Sequence, residues 1–174
     1  MTFERYRDFH PLADPTAFVH SRATVIGDVT IGAESSIWPG VVIRGDDGPI
    51  RIGARTSIQD NSVVHNTTGL SVTTVGDRVT VGHGVILHGC TVEDDCLIGM
   101  GATILDNAVI GRGSIVGACA LVTQNTVIPP GSLVLGMPAK VVRPCGDREK
   151  LMIEGGWREY VERNEEYRAR DAAG

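Results

Sequence analysis

An apolar residue recurs at every sixth position through most of the chain, and that beat limits the folds open to it. From the middle one reads Ile98, Ile104, Ile110, Val116, Val122, Ile128 and Val134. Upstream the same step runs Val25, Ile31, Ile37 and Ile43, then Ile52, Ile58 and Val64, then Val75, Val81 and Leu87. Gly often follows the apolar residue, as in Ile31-Gly32, Ile52-Gly53, Val81-Gly82, Ile98-Gly99 and Ile110-Gly111. A period of six fits neither an amphipathic helix nor an alternating strand. It predicts a parallel β-helix, in which short strands separated by turns wind into a solenoid and each side points one apolar residue inward.

The 174 residues suffice for one substantial core and are short for two. Only 5% are aromatic while 22 are Gly, which suits repeated tight turns. A net charge of −5 argues against nucleic acid or an anionic membrane as partner. With no apolar run of spanning length and no apolar leader, the chain reads as soluble and cytoplasmic. Cys90, Cys96, Cys119 and Cys145 form no metal-type pairs and read as reduced, the first two as packing residues.

Residues 1–18 read as an irregular lead-in, because Pro11 and Pro15 discourage regular structure. The solenoid is expected from about Phe18 to about Ala139, inside a β-helix domain of residues 1–146. Asp46-Asp47-Gly48-Pro49 reads as an inserted turn and Asn66–Thr74 as an outer loop; Pro129-Pro130 and Gly136-Met137-Pro138 close the coil. Residues 147–174 are charged and helical, with a break expected at Gly155-Gly156. Trp157, Tyr160, Val161, Asn164 and Tyr167 form the stripe of a helix that docks on the coil or on a neighbouring subunit.

A six-residue step accommodates more than one number of sides. If three sides make a coil, Ile43, Val64 and Leu87 share one side and Ile37, Ile58 and Val81 the preceding one. Arg44, His65 and His88 then form one column, each directly after its apolar residue. Asp60 and His83 form another. Equivalent residues of adjacent coils stack at roughly 4.8 Å, close enough for His65 and His88 to share an ion. His83 lies around a corner and diverges from them, so a second subunit would have to supply it. This predicts an intersubunit metal site in a C3 trimer of triangular prisms. Three imidazoles plus water suit the open coordination of catalytic Zn²⁺. His10 and His20 fall outside both columns.

Taken together, Arg44-Gly45-Asp46, Ile58-Gln59-Asp60, His65, Val81-Gly82-His83, Leu87-His88-Gly89-Cys90, Ile98-Gly99-Met100-Gly101-Ala102 and Gly136-Met137-Pro138-Ala139-Lys140 resemble the γ-class carbonic anhydrase-like family. The resemblance implies an all-β solenoid: a left-handed, three-sided parallel β-helix of hexapeptide repeats, assembled as a homotrimer. The left hand comes from the resemblance alone. It also implies metal ligation by His65, His83 and His88, and an Arg44–Asp60 pair across the subunit interface. Gln59 falls near the metal-bound water, and Asp46 matches a further site residue, although a turn-forming role suits that Asp equally. The implied reaction is reversible hydration of CO₂ to bicarbonate, using hydroxide that a metal makes available near neutral pH.

Zn²⁺, Fe²⁺ and Co²⁺ all accept such ligands. One departure stands out: the family's acidic loop corresponds here to Asn66–Thr74, which holds no Asp or Glu. Asp47, Tyr160 or Tyr167 are then the residues nearest to hand for proton transfer, the tyrosines doubling as packing residues of the stripe. Other readings of the same coil are a hexapeptide-repeat acyltransferase with a single general-base His, a metal-dependent thioester hydrolase, and a non-catalytic metal-binding trimer.

Overall fold

The computed structural model describes residues 2–173. The chain winds through about seven turns of a left-handed parallel β-helix and ends in one helix. Three ladders of short strands make its faces. The first aligns Val19, Ile37, Ile58, Val81, Ile98, Val116 and Val134. The second aligns Val25, Ile43, Val64, Leu87, Ile104 and Val122. The third aligns Ala13, Ile31, Ile52, Val75, Val92, Ile110 and Ile128. The six-residue beat is therefore one inward residue per face, and from Val25 onward these residues are at most 3% exposed. Burying each contributes roughly 1.5–3 kcal/mol against the chain entropy.

The glycines after the apolar residues let the chain turn where successive coils touch. A Cβ on Gly32 would lie 2.6 Å from the Gly53 carbonyl carbon, and one on Gly53 2.6 Å from that of Gly76. At the corner that follows, Glu34, Arg55, Arg78 and Asp95 all adopt φ between 55° and 58°. Each such residue costs roughly 1–2 kcal/mol. Paired charges partly offset this, Arg55 Nε to Glu34 at 2.5 Å and Arg78 to both oxygens of Asp95 at 2.6 and 3.0 Å.

Three local expectations are corrected. The lead-in is not irregular: Thr2–Glu4 and Leu12–Ala13 each pair in parallel with Thr24–Ile31. Pro11 stands just before the second of these strands and Pro15 beyond it, so neither removes a ladder hydrogen bond. Asp46–Pro49 is not a turn that ends a strand. The strand Val42–Ile52 runs on from the second face to the third, and the insertion is taken up as a register shift against Gly27–Val29.

Nor does Gly155-Gly156 break the helix, which is continuous over Asp147–Ala173 (α1). Gly costs roughly 1 kcal/mol in a helix, but here it allows close packing. A Cβ on Gly156 would stand 2.9 Å from Thr80 Oγ1. On either side α1 is held to the first face by buried Ile153, by Tyr160 and Tyr167 against Trp38, and by buried Asn164. Asn164 donates to the carbonyls of Thr16 and Ser35.

Beyond Pro129-Pro130 the coil makes one more rung, Ser132–Leu135, and Lys140–Pro144 returns antiparallel to it. Among the described residues no helix is long and apolar enough to cross a membrane. All four cysteines are free thiols. Burial pushes those of Cys90 and Cys96 up to about 12, which leaves them as inert packing groups.

Candidate metal centre

The second ladder sets Leu87 opposite Val64, and so His88 opposite His65. Because each histidine directly follows an inward residue, its ring points out of the coil. His65 Nδ1 and His88 Nε2 converge to 3.2 Å, with the ring centroids 5.2 Å apart. The column begins one coil earlier with Arg44, whose Nη2 stands 3.5 Å from His65 Nδ1.

The other ring nitrogen of each histidine faces carboxylates. His65 Nε2 lies 3.3 Å from Asp46 Oδ1 and 3.2 Å from Asp47 Oδ2. Arg44 donates to the second oxygen of Asp46 at 2.6 Å. Burial works to raise the Asp46 carboxyl, but the Arg44 hydrogen bond and charge outweigh it and leave the group below its ordinary range. Thr68 donates to Asp47 Oδ1 at 2.5 Å. His88 Nδ1 lies 3.2 and 3.3 Å from the two oxygens of Asp106, a carboxylate whose side chain is only 8% exposed. There too burial works upward and is outweighed, by hydrogen bonds from Ser71 and Gln124.

His83 stands at the corner after the first face, its side chain 49% exposed, with Nδ1 2.9 Å from Asp60 Oδ2. It does not join the His65–His88 pair within the chain. Asp60 therefore partners His83 here, and Arg44 partners Asp46. Gln59, next to Asp60, is 5% exposed. Tyr160 and Tyr167 pack edge-on against Trp38 at 5.5 and 5.1 Å, as stripe residues do. His10 and His20 make local contacts, to the Pro11 carbonyl and from the Arg22 amide.

Two arrangements could hold a cation. The ligand atoms of Asp46, Asp47 and His65 lie within 4.8 Å of one another. Alternatively the His65 Nδ1–His88 Nε2 gap offers two imidazole nitrogens. Two ligands at ~2.0–2.1 Å from a tetrahedral ion stand about 3.3 Å apart, and the 3.2 Å gap matches that separation. Asp46 and Asp47 already accept hydrogen bonds from Arg44 and Thr68, which suits them to orienting His65. Sequence reading missed Asp106, Ser71 and Gln124. Asp106 stands one coil on from Gly89 rather than from His88, because Leu87 aligns with Ile104, and Gln124 lies 18 residues after Asp106 on the next coil.

Comparison with known proteins places this geometry in context. Residues 89–124 match the family model described as bacterial transferase hexapeptide (six repeats). Over 159 residues the chain is 48% identical to "Gamma carbonic anhydrase 2, mitochondrial" of Arabidopsis thaliana, covering 88% of this chain and 57% of that protein. The chain thus spans somewhat more than half the length of that plant relative. With the "Carbonic anhydrase" of Geobacillus kaustophilus it shares 46% identity over 94% of this chain and 90% of that one. Among solved structures, a hexapeptide transferase family protein from Anaplasma phagocytophilum superposes with a TM-score of 0.92 at 38% identity, covering 95% and 98% of the two chains.

Proposed function

The chain belongs to the γ-class carbonic anhydrase-like family of hexapeptide-repeat proteins, and from that premise we propose that it catalyses the reversible hydration of CO₂ to bicarbonate. The site is a divalent-metal centre between subunits of a homotrimer. His65 and His88 come from one chain and His83 from a second copy, each copy contributing to two sites around the ring. Zn²⁺ suits the three imidazoles, as do Fe²⁺ and Co²⁺. The observation that carries this reading is the 3.2 Å convergence of His65 Nδ1 and His88 Nε2, with His65's far nitrogen on carboxylates. His65, His88 and a second copy's His83 would hold the metal, which would make hydroxide available near neutral pH.

The chain's own groups do the rest. Asp46 accepts from His65 Nε2, with Asp47 Oδ2 3.2 Å from the same nitrogen, and so keeps the Nδ1 lone pair facing His88. Asp60 does the same for His83 through Nδ1, leaving Nε2 to reach across the interface. Arg44 stands at the mouth of the pair and, besides holding Asp46, provides the guanidinium that meets Asp60 of a neighbouring copy. Gln59, held against the coil beside Asp60, presents an amide that orients CO₂ or bicarbonate by hydrogen bonding. Proton export has no acidic loop to use. Asp47 borders a cavity of about 270 Å³ that Tyr6, Phe9 and Thr68 also line, so buffer entering it would meet Asp47.

A transferase reading takes its support from the transferase name of a structural relative. It leaves two of the three histidines without a task, so the metal-centre reading accounts for more of the molecule. The deciding experiment is metal analysis per subunit with stopped-flow CO₂ hydration, on protein purified with its metal. One metal per chain and hydration above a chelated control is the expected result. Metal without hydration overturns the anhydrase assignment, and absence of metal overturns the centre itself.

A further inference from the structure

Asp106 is a carboxylate in an expensive place. Its side chain is 8% exposed, and an ionised carboxylate held that far from water is tolerated only when its oxygens are well partnered. Both are. Oδ1 accepts from Ser71 Oγ at 2.5 Å and Oδ2 from Gln124 Nε2 at 3.3 Å, while His88 Nδ1 stands 3.2 and 3.3 Å from the pair. Ser71 is itself fixed, since its Oγ accepts from the Thr67 amide at 3.1 Å. Gly89 keeps the space open. It has φ +64°, and a Cβ there would fall 2.2 Å from Asp106 Oδ1 and 2.1 Å from Ser71 Oγ. Three segments of the chain, one of them the Asn66–Thr74 loop, thus converge on one side of a single imidazole.

An ionised carboxylate only accepts, so the nitrogen facing it must carry the proton. We propose that Asp106 is a positioning residue that holds His88 in its Nδ1–H tautomer, so that Nε2 turns a lone pair toward His65, with Ser71 clamping the carboxylate in place. The inference deepens the metal-centre reading and rests on it for the purpose of the device. The opposite tautomer would point an N–H into the 3.2 Å gap and offer no ligand. The loop that lacks acidic residues therefore has a positive role: it supplies the hydroxyl that anchors His88 from behind.

The test uses full-length protein stripped of metal by chelation. Long-range ¹H–¹⁵N spectra read the His88 tautomer, and competition with a chromophoric chelator reads Zn²⁺ affinity. The wild type is expected to show Nδ1–H at His88. Asp106→Asn offers an amide that can donate as well as accept; it is expected to lose that preference and to bind Zn²⁺ roughly 10–100-fold more weakly. Ser71→Ala keeps the carboxylate and is expected to weaken binding by less. An unaltered tautomer together with affinity within twofold of wild type in Asp106→Asn overturns the proposal. So does an Nε2–H tautomer in the wild type. If Asp106→Asn fails to fold by circular dichroism, Ser71→Ala combined with Gln124→Ala decides, and unchanged Zn²⁺ affinity there overturns it. Wild-type protein that binds no Zn²⁺ would sink the metal centre, while the tautomer spectra would still decide what Asp106 does.

Discussion

Each histidine of the pair owes its position to the residue before it. Leu87 and Val64 are fully buried in the second ladder, so His88 and His65 point out side by side. Truncating that support is costly: Leu87→Ala is expected to destabilise the protein by about 2–5 kcal/mol in denaturant unfolding, through the cavity it leaves. It should also weaken metal binding. Gln59 is a different kind of residue, because among the described residues no hydrogen bond ties its buried side chain to His65 or His88. Gln59→Ala is expected to lower CO₂ hydration about tenfold, the scale of one lost hydrogen bond, with metal content unchanged. Loss of metal would make it structural. The His65–His88 column was legible because both follow beat residues directly. Asp106 was not. It lies two places after Ile104, opposite Gly89 in a turn, where the beat says nothing about which way a side chain points. Its bond with Ser71 depends on the path of a loop that no periodicity describes.

At the level of elements, the stripe on α1 was readable because docking on a flat strand face demands helical spacing, and Tyr160, Asn164 and Tyr167 all lie on the coil. Its continuity was not readable. Propensity alone breaks a helix at two successive glycines, whereas contact with Thr80 makes Gly156 the place of closest approach. Gly156→Val reverses the usual expectation for a helix glycine. Instead of a gain of a few tenths of a kcal/mol, it is expected to lift α1 from the first face and lower the thermal midpoint. Near-ultraviolet circular dichroism of Trp38 would report the loss of its edge contacts with Tyr160 and Tyr167. A raised midpoint would show that the glycines are not needed for packing. The N-terminal strands escaped sequence reading for a related reason. Strands of two or three residues carry little pattern of their own and are strands because a neighbouring rung is already there.

For the whole molecule, the junction of coil and helix is held by Arg143, which donates to both oxygens of Glu149 at 2.9 and 3.1 Å. The Arg143 hydrogen bonds draw the Glu149 carboxyl down to about 2 from 4.5. A group depressed in the folded state stabilises above its unfolded value and loses that contribution as pH falls through the folded one. The melting temperatures of wild type and Glu149→Gln are therefore expected to differ at neutral pH and to approach each other between pH 4.5 and about 2. A constant difference would show that the effect is not ionic. The intersubunit site makes its own prediction. His83→Ala and His88→Ala should each lose the metal alone. Mixed, dissociated and reassembled one to one, they should regain it at roughly a quarter of interfaces, where each chain supplies what the other lacks. Failure to regain any would place all ligands within one chain.

Both departures from the six-residue beat that border the site, the Asp46–Pro49 bulge and the Asn66–Thr74 loop, leave the coil and rejoin it without disturbing the rungs on either side. The backbone register of His65 and His88 is thus set by the rungs and not by how many residues those excursions contain. Lineages could lengthen or shorten them and the pair would stay in register, while a change of side chain there would alter what orients each ring, as Asp46, Asp47 and Ser71 do here. The scaffold separates the part of the reaction that must be exact in space from the part that can be tuned by drift.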